Sequence, residues 1–114
     1  MKIKLFITFL FTLNFSQSIT VIAQGWSAMG TGVSGPNTPK VSAIEIYNGE
    51  IYIAGRFTMA GGIPEYNIAR WNGTAWDSVS SGMTINGNPT NAEVVDLAVY
   101  NGELYAVGGF NRAG

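Results

Sequence analysis

The chain of 114 residues contains no cysteine and no histidine. The first absence rules out disulfides and leaves no thiol to which a lipid could be attached after export. Together the two remove Ser-His-Asp and Cys-His catalysis from this segment. They also remove ordinary zinc sites, which are built from Cys and His. Charge is scarce as well, with Lys, Arg, Asp and Glu making up 11% of the residues. The six basic residues form no stripe, and nucleic acid and anionic lipid surfaces are both held by clustered Lys and Arg. Neither is expected as a partner. Spanning a bilayer takes roughly 20 consecutive apolar residues, and no run here reaches that. Beyond the first residues no stretch keeps a helical period for more than about two turns. Glycine, by contrast, is abundant, with 15 copies.

The order of the opening residues has a meaning of its own. Met1, Lys2, Ile3 and Lys4 make a short basic start, and residues 5–15 are mostly apolar, interrupted by Thr8, Thr12 and Asn14. Residues 16–23 are more polar and end in small side chains, with Val21 and Ala23 suited to the −3 and −1 positions of a cleavage site. This is the layout of a secretory signal peptide over residues 1–23, cut after Ala23. Losing Lys2 and Lys4 leaves four basic and seven acidic residues, a net charge of −3 over 24–114. Without disulfides, stability must come from packing, and a repeat array enlarges its core with every unit.

Self-similarity is the strongest signal. Residues 44–61 recur as residues 97–114, without a gap, at an offset of 53. Each copy centres on a Tyr-Asn-Gly-Glu turn, Tyr47 to Glu50 in one and Tyr100 to Glu103 in the other. A second element, Gly25-Trp26-Ser27, resembles Ala75-Trp76-Asp77 at an offset of 50. The slack of three residues falls in the Gly/Pro/Asn stretches 35–39 and 86–91, where length variation belongs to surface loops. A period near 50 is in the range of propeller blades.

Within one period the pattern predicts four short strands: 41–47, 50–57, 67–71 and 74–79. Asn48-Gly49 and Asn72-Gly73 are predicted hairpin turns, because both central residues of a two-residue loop need positive φ. Four antiparallel strands per repeat is the build of a propeller blade. The expected organisation is an outer strand and loop over 24–40, a complete repeat over 41–93 and a partial second repeat over 94–114. A ring needs about four to eight blades, so the chain is expected to be the leading fragment of a longer protein. The strand around Trp26 would then pair with the last blade.

The segment Leu104-Tyr105-Ala106-Val107-Gly108-Gly109, followed in its repeat by a tryptophan such as Trp76, resembles the kelch-type propeller group, which includes the central domain of galactose oxidase. The chain more closely resembles a repeat of large secreted proteins of Bacteroidota. The matching residues are Phe57-Thr58-Met59-Ala60-Gly61-Gly62, Asn67-Ile68-Ala69-Arg70-Trp71-Asn72-Gly73 and Trp76. Fungal cell-polarity marker ectodomains look similar. The resemblance implies an incomplete kelch-like β-propeller, with a sorting domain for type IX secretion expected further along such a protein. Arg56 stands where the other copy has Gly109, so the glycine doublet is not strict. The copper site of galactose oxidase uses Cys, Tyr and His and cannot be placed on this segment.

No residue is expected to be catalytic, to bind a cofactor or to hold a metal. Glu50 and Glu103 repeat at one position after the Asn-Gly turn. They could be read as a glycosidase-like pair, but repetition favours solvated residues leaving a hairpin. Trp26, Trp71 and Trp76 could stack on sugars, and large aromatics more often fill the space between sheets. Arg56, Arg70 and Arg112 are expected as surface or inter-blade ion partners. Asn72-Gly73-Thr74 fits both an N-glycosylation site and a turn. The 86–88 loop offers oxygen ligands for calcium without the usual carboxylates. The glycine runs open no helix and so cradle no phosphate.

The expected protein is a secreted or surface repeat module that binds an extracellular protein or glycan. The alternatives are the leading part of a secreted enzyme, or a structural spacer. The export reading has a direct check. Expressed with its own leader, the chain should be released with Gln24 as its first residue, and intact-mass measurement of the exported product decides this. A product retaining Met1 would sink it.

Overall fold

The computed structural model describes residues 27–114. The expected signal peptide and Trp26, with its ring-closing strand, lie outside the described residues. What is described is all-β, with every strand pair antiparallel. In chain order the strands are β1 (Val33–Ser34), β2 (Lys40–Tyr47), β3 (Glu50–Arg56), β4 (Met59–Ala60), β5 (Ile63–Pro64) and β6 (Ile68–Trp71). Then follow β7 (Trp76–Ser78), β8 (Met83–Thr84), a 3-10 turn (Pro89–Asn91), β9 (Glu93–Tyr100), β10 (Glu103–Gly109) and β11 (Arg112–Ala113).

The central feature is a four-stranded meander in the order β2-β3-β6-β7. Its strands match the four predicted from one sequence period to within a few residues at each end. Beside it lies the hairpin β9-β10, the second copy of β2-β3. Two small sheets, β1-β4-β5 and β8-β11, tie the pieces together, and no sheet closes on itself.

The two copies are built alike because their turns demand it. Asn48 and Gly49 have φ of 52° and 79°, and Asn101 and Gly102 repeat those values. Tyr47 faces Glu50, and Tyr100 faces Glu103, across two-residue loops. Left-handed backbone at both central positions suits the twist of the strands, and Asn-Gly is the pair that tolerates it. The Asn72-Gly73 turn is different. Trp71 pairs with Trp76, so the loop has four residues, 72–75. Asn72 Oδ1 accepts from the backbone N–H of Thr74 (2.9 Å) and of Ala75 (3.1 Å). An Asn side chain that imitates a backbone turn in this way closes a longer loop without positive φ at Asn72.

Each hairpin also carries a bulge at the same place. Pairing shifts between Val41 and Ala43 in one and between Val107 and Gly108 in the other. There the chains approach so closely that a Cβ on Gly55 would collide with the Lys40 carbonyl oxygen, and one on Gly108 with that of Glu93. A Cβ on Gly109 would meet nothing within 4 Å. Only the first glycine of the doublet is therefore sterically required, which explains why Arg56 can stand at the second.

Successive repeats are joined by equivalent hydrogen bonds. Thr58 N donates to Ser34 O (3.0 Å) and Gly61 N to Gly32 O (2.8 Å). One repeat later, Asn111 N donates to Thr84 O (3.0 Å) and Gly114 N to Gly82 O (2.9 Å). The three-residue slack sits in the turn after β8, where Ile85 and Asn88 bridge each other around Asn86 and Gly87.

Two apolar clusters flank the meander. On one face Ala43, Tyr52, Ala54 and Ile68 pack against Val94 and Leu97 of the second hairpin. On the other, Ile53, Phe57, Ala60, Ala69 and Trp76 gather, with Met29 and Val33 against them. Between the clusters' ends sits Asn67, fully buried, with φ of 66°. Its Oδ1 accepts from Phe57 N (3.0 Å), and its Nδ2 donates to Met83 O (2.8 Å) and Pro89 O (2.9 Å).

The close approach at Gly55 and the open space at Gly109 predict an asymmetric pair of variants. Gly55→Ala should lower stability by about 3 kcal/mol, at the upper end of overpacking costs where backbone must move. Gly109→Ala should stay within about 0.5 kcal/mol of the parent, as for an open surface site. Urea unfolding of both variants measures the difference, and equal effects would contradict the bulge account.

Candidate functional site

Two places concentrate polar or concave surface. The first is a charged row across the outer three strands of the meander. Tyr52 lies opposite Arg70, and Arg70 opposite Asp77, so their side chains share one face. The Arg70 guanidinium meets Asp77 Oδ2 at 2.6 Å and Glu50 Oε2 at 3.5 Å. The Asp77 contact chiefly, with Tyr52 and Glu50 behind it, makes Arg70 a still stronger base. In return Arg70, helped by the Ser78 N–H, holds the Asp77 carboxyl below its ordinary value. Glu50 is thus an ion partner of Arg70.

Beside this row lies Glu65, only 3% exposed. Ser78 Oγ donates to its Oε1 at 3.1 Å. Burial is the main cause that raises its pKa, the Asp77 charge adds to the rise, and the Ser78 hydrogen bond opposes it.

The second place is a cleft of about 450 Å³ between the meander and the second hairpin. Tyr52, Ile68, Met83, Leu104, Ala106 and Phe110 line it, with Glu103 and Tyr105 also on its wall. It lies beside β10, which pairs on one edge with β9; its counterpart in the first copy, β3, has β2 on one side and β6 on the other. The cleft is chemically plain: apolar walls, three tyrosines (Tyr47, Tyr52 and Tyr105) and one carboxylate. Among the described residues no group of three His, Cys, Asp or Glu side chains converges to hold a metal ion. No helix among them is long and apolar enough to cross a membrane.

The other sequence candidates find structural places. Trp71 and Trp76 meet edge to face, with centroids 5.3 Å apart. Trp76 is buried and its Nε1 donates to Met29 O (2.8 Å), while Trp71 remains half-buried. Arg56 reaches Glu93 of the next repeat at 3.2 Å, and Lys40 reaches the same carboxylate at 3.3 Å. Arg112 lies exposed on β11. In the 86–88 turn, Asn86 Oδ1 accepts from Asn111 Nδ2 (3.0 Å), and Asn88 Oδ1 accepts from the N–H (2.8 Å) and hydroxyl (2.6 Å) of Thr90. Both amide oxygens are engaged within the chain.

Sequence reading passed over Glu65 and Asn67, the two polar side chains most deeply enclosed. A signal for the latter was available: an Asn heading a strand, directly after a glycine- and proline-rich connection, is a left-handed position in waiting. Nothing in the sequence around Glu65 marks it as buried. Comparison of the chain with protein families, curated proteins and solved structures finds no match.

The Glu65 environment sets a pH dependence. A folded-state pKa raised above the unfolded value means that ionising Glu65 weakens the fold as pH climbs through the unfolded value near 4.5 toward the folded one. Glu65→Gln keeps the acceptor for Ser78 and removes that charge. Its melting temperature should exceed the parent's by several degrees at neutral pH, and the gain should vanish below about pH 4, where the parent carboxyl is protonated too. A gain that persists undiminished in acid would show that charge is not the cause.

Proposed function

We propose that the chain is part of a secreted or cell-surface β-propeller repeat module that binds an extracellular protein or glycan without catalysis. The observation that supports it is the equivalence of the two repeats. The same hairpin, the same bulge and the same inter-repeat hydrogen bonds occur twice, so the unit is built to be stacked. Four antiparallel strands in meander order agree with a blade of the kelch-like kind. The export segment and the Bacteroidota-type resemblance favour an extracellular setting.

Strand direction sorts the connections to two edges. The Asn-Gly turns and the 72–75 loop share one edge. The longer connections 57–67 and 79–92 share the other. That second edge carries the exposed Ile63 and Tyr66 and the Asn86-Gly87 turn, the mixture of apolar, aromatic and amide groups that loop-borne binding sites use.

The test is binding by the exported chain to an array of glycans and purified extracellular proteins. At least one ligand should be retained, and Tyr66→Ala should weaken it about tenfold or more, the usual scale of a well-placed aromatic contact. A folded chain that retains none, or one that turns over a substrate, would overturn the proposal.

A further inference from the structure

Four asparagines in the chain are each followed by glycine: Asn48, Asn72, Asn86 and Asn101. Glycine leaves the nitrogen after the asparagine unscreened by any side chain. By sequence alone, the four side-chain amides are equally open to attack by that nitrogen. None of the four glycine N–H groups donates to a backbone acceptor among the described residues. The nucleophile is therefore free in each, and what differs is the amide it would attack.

Three of the turns share one backbone conformation. Asn48 and Gly49, like Asn101 and Gly102, have φ of 52° and 79°, and Asn86 and Gly87 have 52° and 85°. Their side chains are held differently. Asn111 Nδ2 donates to Asn86 Oδ1 at 3.0 Å, and Asn86 N donates to Asn111 Oδ1 at 2.9 Å. In the fourth turn, Asn72 Oδ1 is taken up by the N–H groups of Thr74 and Ala75. Among the described residues no hydrogen bond engages the amide of Asn48 or Asn101, and both residues are exposed. Asn48 is exposed although the second hairpin already packs against its own. Stacking of repeats therefore does not cover this turn.

We propose that Asn48 and Asn101 are sites of spontaneous deamidation to aspartate and isoaspartate, and that the fold protects Asn72 and Asn86 from the same reaction. Asparagine is among the residues that heat degrades, and the step needs only water. The glycine nitrogen gives its proton to solvent base and bonds to the asparagine Cγ. The Cγ–Nδ2 bond breaks, and Nδ2 leaves as ammonia. Water then opens the cyclic imide. Opening at Cγ leaves aspartate. Opening at the former backbone carbonyl leaves isoaspartate, whose main chain runs through Cβ and Cγ. Nothing is oxidised or reduced. At Asn72 and Asn86 the amide must first leave its hydrogen bonds.

The product changes both charge and chain length, as covalent modifications do. Isoaspartate adds a backbone atom to a two-residue turn whose flanks are paired, Tyr47 with Glu50 and Tyr100 with Glu103. At Asn101 the lengthened turn includes Gly102, whose carbonyl accepts from Tyr47 Oη at 3.0 Å. Modification there acts on a contact that joins the two repeats.

Ageing the purified chain in mildly alkaline buffer, followed by peptide mapping with mass spectrometry, tests the proposal. In the folded chain Asn72 and Asn86 should deamidate about tenfold more slowly than Asn48 and Asn101, the scale set by hydrogen bonds that must break first. In urea the four rates should converge. Asn111→Val keeps the shape of Thr58, the residue at the equivalent place in the first repeat, and removes the partner of Asn86. It should speed deamidation at Asn86 alone. Should that variant lose the parental circular dichroism, Asn111→Thr takes its place. Equal rates in the folded chain, or a lead by Asn72 or Asn86, would overturn the proposal. So would a spread that persists undiminished in urea, or an Asn86 indifferent to the loss of Asn111.

Discussion

Asn67 is the side chain on which the most separate parts of the structure depend. It has no exposed surface, and its amide is shared among three segments. Its own N–H donates to Phe57 O, and its carbonyl accepts from Gly55 N. One residue thus closes the end of β3, starts β6, and fastens β8 and the 3-10 turn that lead into the second repeat. A buried donor or acceptor left without a partner costs about 1–3 kcal/mol, so loss of this amide would leave several such debts at once. Its left-handed φ narrows the choice further, since Asn and Gly tolerate that backbone best.

Around that fixed point, apolar contact decides how the repeats stack. Burying a Leu-sized side chain contributes about 1.5–3 kcal/mol, whereas a surface ion pair rarely exceeds about 1 kcal/mol. Leu97 and Val94 therefore hold the second hairpin on the meander. The Lys40–Glu93–Arg56 contact, partly exposed at each member, aligns it. The Arg70 row acts likewise within one sheet: it chooses which residues face one another across β3, β6 and β7.

Much of this could be read from the residues beforehand, for a local reason. Asn-Gly with alternating apolar residues on both sides carries its own hairpin, and repetition at an offset of 53 confirmed it against itself. What could not be read depends on contacts distant in sequence. The 72–75 loop looked like a second two-residue turn, because Asn72-Gly73 has the same letters. The Asx bonds to Thr74 and Ala75 made it longer. Arg56 looked like a defect in the glycine doublet until the bulge showed that the second position is open. Glu65 is buried by Ser78 and its surroundings, none of which leaves a mark in neighbouring residues. The site was less legible than the fold: Glu50, Glu103 and the tryptophans were sensible candidates, and most of them serve packing or pairing.

The bulges at Gly55 and Gly108 reach beyond their own hairpins. A bulge sharpens the local twist of its strands, and here the same bulge recurs at the same depth in successive units. Each unit therefore turns its outgoing chain by a locally determined angle, whatever its outward-facing residues are. Pitch is in this way separated from surface. Loops and exposed side chains can differ between the two copies while both hairpins keep the same bulge, and a methyl group at either glycine would collide with the backbone that makes it.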